Sequence, residues 1–287
     1  MQSLTAISNR FFSPRFIRSN LWFKRLLYGF LLYKSLHWNY YFDFLFADDA
    51  VLFPKYTGIG WFKDLAFLLL HYPGDALSRV FIFTVFFISA YRLFFRSHFW
   101  MLSFFLDLIL WFLVLNLHNK MYTGLSGGNM LLNQLLLFAC FINKHSPEGE
   151  GRLHELRLFL QNMAILFLQV QVMLLYFISA LSKLGYVAWL DGSAIQQILM
   201  IDHFSALHLP ARNLFFSFFI VLISYAVLAF QLSFPFMVWW EKGKRYFLLF
   251  GIGMHLYIAF FMGLPDFAFI MLLGYLYFWP RREVVNS

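Results

Sequence analysis

Residues 213–240 read NLFFSFFIVLISYAVLAFQLSFPFMVWW, a run of 28 residues without a formal charge, bounded by Arg212 and Glu241. About 20 apolar residues suffice to cross the hydrocarbon core of a bilayer, so this stretch predicts a transmembrane helix. The same pattern recurs on either side. Residues 158–182 are uncharged for 25 positions, and 246–265 for 20, with His255 and tyrosines as their titratable groups. Residues 121–143 are uncharged for 23, with Gly124, Gly127 and Gly128 placing the helix start near Asn129. Three further segments tolerate a charge: 97–119 with Asp107, 22–46 with Lys34 and Asp43, and 75–95 with Arg79 near one end. Residues 267–279 form a short last segment.

Composition supports the same reading. Of 287 residues 61% are apolar and 13% charged, whereas soluble domains average about 25% charged. This excludes an ordinary soluble domain, and disordered or collagen-like chains with it. The net charge of +8 would suggest nucleic acid in a soluble protein, but its placement suggests a membrane instead, and no nucleic-acid partner is expected. With the N-terminus inside, 15 of the 22 Lys and Arg residues fall on cytoplasmic leaders, loops or tails, as the positive-inside rule requires. The sequence therefore predicts an all-α, polytopic membrane helix bundle of about eight transmembrane helices with both termini cytoplasmic, lodged in the cell membrane as a multi-pass protein. Residues 1–20 read as a basic cytoplasmic leader without an A-x-A-like cleavage site, 21–280 as one transmembrane domain, and 281–287 as a cytoplasmic tail. Residues 61–72, WFKDLAFLLLHY, read as a short interfacial helix in the first outer loop. Cys140, the one cysteine, reads as a small buried hydrophobe.

A charge in hydrocarbon costs on the order of 3 kcal/mol, so each needs a partner or a role. Lys34 and Asp107 each lie roughly ten residues into an outward-running span, and at about 1.5 Å per residue they reach similar depth, so an ion pair between them is expected. Asn162, Gln169, Tyr176 and Lys183 recur at intervals of seven, with Ser179 four before Lys183, and share one helix face that should point into the bundle. Such amides and hydroxyls commonly join membrane helices, and a lysine at a helix end commonly snorkels to the interface. Asn129 and Asn133 start from the same outer side, where Lys183, Trp189, Asp191 and Gly192 can meet at one level. His255, in mid-span, is the other expensive polar group, either a hydrogen-bonded packing element or a ligand. Asp202, His203 and His208 lack zinc-type spacing, and no metal site is expected. The chain carries no HExxH, P-loop, nucleotide-binding GxGxxG or GxSxG motif.

Residues 176–192, YFISALSKLGYVAWLDG, resemble the signature of the horizontally transferred transmembrane (HTTM) domain, the membrane region shared with vitamin K-dependent gamma-glutamyl carboxylase. In that signature an aromatic, small-residue helix ends in Lys-Leu, followed by Trp and then Gly. Residues 253–272, GMHLYIAFFMGLPDFAFIML, are similar to the family's His-bearing helix and the Phe/Met-rich span after it, and Gly127-Gly128-Asn129 to a third block. The resemblance extends over 20–280. It implies that Lys183, neutral, deprotonates a reduced, vitamin K-like quinone, which oxygen converts into the strong base that takes a proton from a substrate glutamate before carbon dioxide adds. Desolvation in general favours the neutral form of an amine, which suits a lysine to that task. On this resemblance Lys183, Asn129 and His255 are the catalytic candidates, and Tyr176, Trp189 and Gly192 the candidates for binding the quinone. Met130 stands where the carboxylase has histidine, and the carboxylase's large soluble region for its protein substrate has no counterpart here.

Two readings follow. One is a quinone-coupled membrane enzyme acting through Lys183 on a peptide, protein or lipid-soluble substrate. The other is a non-enzymatic membrane partner, a maturation or export helper similar to the SdpB-like branch of the superfamily, in which the polar stripe serves packing or docking. A transporter is disfavoured by the lack of an inverted repeat and of paired Gly/Pro-broken helices. In either reading the lipid bilayer is the first partner.

Overall fold

The structure, a computed structural model, describes residues 17–47, 74–95, 99–121, 124–143, 151–201 and 214–279. The leader up to residue 16, the interfacial segment 61–72, the group Asp202, His203 and His208, and the tail 281–287 lie outside the described residues. The described residues are helical and contain no strand: α1 (Ile17–Tyr40), α2 (Phe42–Leu45), α3 (Asp75–Phe94), α4 (Trp100–Lys120), α5 (Gly127–Ala139), α6 (Arg152–Leu184), α7 (Val187–Leu190), α8 (Ala194–Leu199), α9 (Leu214–Met237), α10 (Lys244–Phe261) and α11 (Pro265–Tyr275). Residues 17–20, read from sequence as part of the leader, already belong to α1.

Among the described residues four helices are long and apolar enough to cross a membrane: Asp75–Phe94, Trp100–Lys120, Arg152–Leu184 and Phe218–Met237. Their outer faces carry bare rings, as at Phe87 and Phe218, exposed by about two thirds (66% and 67%), which suits a lipid environment rather than water. The composition and these helices together describe a helical membrane protein. Other segments are shorter than their uncharged runs. α5 has 13 residues, about 20 Å at the usual rise, because Ser126 caps it and accepts a hydrogen bond from the Asn129 N–H. α11 has 11 and opens on Pro265, whose missing N–H costs nothing in a first turn.

Contacts divide the chain into two compact units, Met1–Leu166 and Phe167–Ser287. In the first, α1 packs on α3, α3 on α4, and α4 on α5. Asn20, Phe23, Lys24, Leu27, Tyr28, Leu31, Lys34, Ser35 and Trp38 of α1 are buried and follow one another in steps of three and one, which is one helical face, with Phe30 buried beside it. That face is mixed: large apolar side chains fill the core, Lys24 and Tyr28 find polar partners inside it, and Asn20 Oδ1 and the Trp38 indole N–H are buried without a hydrogen-bond partner.

The main polar cluster of this unit corrects the expected Lys34–Asp107 pair. Asp107 is buried on α4, and Lys24 Nζ donates to its Oδ2 at 2.6 Å while Arg92 Nη2, on α3, donates to the same oxygen at 3.1 Å. Tyr28 Oη donates to Oδ1 at 2.7 Å and accepts from Arg92 Nε at 3.1 Å. Arg92 Nη1 reaches Ser103 Oγ at 2.9 Å, and Lys24 also donates to the carbonyl of Ala139 at the end of α5. Register explains the change of partner. The described α1 begins at Ile17 and α4 at Trp100, so Lys24 and Asp107 are each about 10 Å along their helices, whereas Lys34 is about 25 Å along. Lys34 instead lies over the Trp38 ring, 5.6 Å from its centre.

In the second unit α8 packs on α9, α9 on α10, and α10 on α11. The tight point is Gly251 on α10. A Cβ there would collide with the Tyr275 hydroxyl and lie 2.7 Å from Phe230 Cζ, so glycine permits the approach of α10 to both aromatic side chains. Cys140 is buried and carries no disulfide, as the sequence suggests.

Candidate functional site

The seven-residue stripe lies on α6 as its spacing dictates. Asn162 falls on the part of α6 in the first unit, and Gln169, Tyr176 and Lys183 on the part in the second. Gln169 is buried and its Nε2 donates to the carbonyl of Tyr277 at 2.8 Å, which ties α6 to the turn after α11.

Tyr176 is the centre of the site. Its ring is 1% exposed and sits among Phe230 and Phe234, with ring centres 5.6 and 4.2 Å away. Its hydroxyl lies 2.5 Å from His255 Nε2 and 2.7 Å from the Tyr275 hydroxyl. The three groups can form one directed chain, Tyr275 donating to Tyr176 and Tyr176 donating to His255 Nε2. In that arrangement His255 Nδ1 carries the ring proton, and Nδ1 is buried with no hydrogen-bond partner. So His255 is a hydrogen-bonded element of the aromatic core, at one end of a chain of three polar side chains. Tyr275 escaped the sequence reading. A tyrosine in an apolar run carries no spacing signal, and its partner is 99 residues away.

Lys183 lies two turns further along α6, in the last turn and half-buried. Its Nζ donates to Ser179 Oγ at 2.6 Å, and the Trp189 ring of α7 stands 5.3 Å from it. No carboxylate among the described residues pairs with it. This distinguishes it from Lys24, Lys120 and Lys244, which meet Asp107, Asp75 and Glu241.

The turn after α6 is held by specific contacts. Gly192 has φ +79°, in the left-handed region that favours glycine, and a Cβ on it would lie 2.6 Å from Val221 Cγ1. Tyr225, next to it on α9, donates its hydroxyl to the Leu190 carbonyl at 2.8 Å. Gly192 is thus needed for the shape of the loop and its approach to α9. Asp191 is exposed and accepts from the Ser193 N–H at 2.8 Å. Hydrogen bonds from the Ser193 hydroxyl and N–H hold its carboxyl below the ordinary aspartate value.

Of the candidates named from sequence, the structure brings Lys183 to Trp189 and Tyr176 to His255. Asn129 belongs to the first unit, buried in the first turn of α5, and the neighbouring Met130 is half exposed. No family model, curated protein or solved structure matches the chain.

Proposed function

We propose that this helical membrane protein is a multi-pass enzyme of the cell membrane, with about eight spans and cytoplasmic termini, in which Lys183 is a base acting on a lipid-soluble, quinone-class molecule. The observation that carries the reading is the setting of Lys183, held by a hydroxyl and an indole ring without a counter-carboxylate. A lysine locked to a carboxylate is kept as ammonium, whereas this one has no such lock and can alternate between its two protonation states. The contact with the Trp189 ring favours the cation by about 0.5–1 kcal/mol at exposed sites.

The quinone class and the relation to the membrane core of vitamin K-dependent gamma-glutamyl carboxylase rest on the resemblance of residues 176–192. Two features of the site fit a ring bearing oxygens. The walls around Tyr176 are aromatic, and His255 Nδ1 is a buried polar atom left for a partner. A reduced quinone would supply the acidic hydroxyl and the redox chemistry. Lys183 would take the proton, Ser179 would hold the amine in place, and the Tyr275–Tyr176–His255 chain would move a proton within the second unit. Trp189 and Gly192 would shape the entrance, and Asn129 is assigned its role by the resemblance alone.

A second reading has its own observation. The turn beside Lys183 exposes Tyr186, Val187 and Leu190 by half or more, an apolar edge suited to docking. On that reading the chain is a membrane partner that helps to mature or export a peptide. Mass spectrometry of small molecules retained in mild detergent separates the two. The enzyme reading expects a quinone with the native chain and its loss from Lys183→Met. Equal retention by Lys183→Met, or no quinone in either, overturns it and favours the docking reading.

A further inference from the structure

The first unit contains a buried polar group that the reading of Lys183 does not use. Trp38, near the end of α1, is 0% exposed, and His118, in the last turn of α4, is 1% exposed. Their rings stand edge to face, centres 5.7 Å apart and planes at 89°. His118 Nδ1 lies 2.8 Å from Asn133 Oδ1 of α5. An amide oxygen only accepts, so Nδ1 carries the proton, and in the neutral ring Nε2 is a bare acceptor. That Nε2 is buried with no hydrogen-bond partner, and so is the donor Nε1–H of Trp38.

An orphaned buried donor and an orphaned buried acceptor on adjoining rings each carry a desolvation penalty of about 1–3 kcal/mol. A single hydroxyl satisfies both, accepting from the indole and donating to the imidazole. The ring centres are 5.7 Å apart, and one oxygen about 2.9 Å from each nitrogen can span nitrogens up to about 5.8 Å apart. A bare carbonyl would leave Nε2 without a donor, and an ammonium would leave the indole N–H without an acceptor. We propose that Trp38 and His118 form a hydroxyl-binding site inside the first unit. Asn133 fixes the tautomer that makes it selective for a group that both donates and accepts. The hydroxyl can come from a single held water or from the head of a membrane-soluble phenol or alcohol.

The test uses the full-length protein in detergent micelles with 15N-labelled indoles, the Trp38 Nε1–H resonance being assigned by its loss in Trp38→Phe. Phenol is the probe. A cross-peak between the Trp38 N–H and long-lived water protons supports the site with water as its occupant. A saturable shift of the Trp38 resonance on adding phenol, reduced at least tenfold in apparent affinity by His118→Phe while other indoles stay still, supports a phenol or alcohol head. A Trp38 resonance with no water cross-peak and no phenol response, in a protein whose other indole resonances are dispersed, overturns the proposal. So does a phenol shift that His118→Phe leaves unchanged.

Discussion

Replacing Asp107 with alanine is expected to destabilise the protein by about 3–5 kcal/mol, the range found when one member of a buried ion cluster is removed. The cause is the company Asp107 keeps. Lys24 and Arg92 are both buried and both donate to its Oδ2, and Tyr28 donates to Oδ1, so the substitution leaves two cations facing each other in the core. Total stabilities are about 5–15 kcal/mol, so the loss should be visible as a large fall in thermal midpoint in detergent, or as failure to accumulate in the membrane. Replacing Lys24, Arg92 and Asp107 together by apolar residues of similar size should cost less than Asp107→Ala alone, since no charge is left unpaired. Double-mutant cycles should show coupling of Asp107 with Lys24 and with Arg92, about 0.5–3 kcal/mol each. Coupling to Lys34 in place of Lys24 would contradict the register described for α1 and α4.

The second large effect is expected for Tyr176→Phe. The lost oxygen serves both His255 and Tyr275, so the change breaks two buried hydrogen bonds and conserves the ring packing against Phe234. Each group left unsatisfied costs about 1–3 kcal/mol in a protein interior, with single interhelical bonds in membranes nearer 0.6. Tyr275→Phe breaks only one bond and leaves Tyr176 on His255, so it should lower the thermal midpoint less. Adding Tyr275→Phe to Tyr176→Phe should cost less than the sum of the two. A Tyr275→Phe variant as damaged as Tyr176→Phe would show that the hydroxyl of Tyr176 is not the shared centre.

How far the residues themselves announced this architecture depends on whether the signal is local. The uncharged run 213–240 became α9, and the interval of seven from Asn162 to Lys183 became one face of α6, because helical periodicity is set by neighbours along the chain. The pair Lys183–Ser179 was legible for the same reason, being one turn apart. Partners between helices were not. Lys34 and Lys24 lie on the same buried stripe of α1, and the choice between them turns on where α1 and α4 begin, which uncharged runs leave open by several residues. Tyr275 and Trp38 gave no sign, since an aromatic residue in an aromatic-rich membrane chain is ordinary packing until its polar atom is seen buried. His118 meets Asn133 of another helix, a contact that spacing along the chain does not announce.

Photolabelling with an azido-substituted quinone, in mild detergent and with labelled peptides mapped by mass spectrometry, addresses the Lys183 site most directly. The expected result is label within 176–192, displaced by excess unlabelled quinone and lost in Lys183→Met while the variant remains folded and membrane-inserted. Label confined to other helices, or label within 176–192 that neither excess quinone nor Lys183→Met removes, would contradict a quinone site at Lys183.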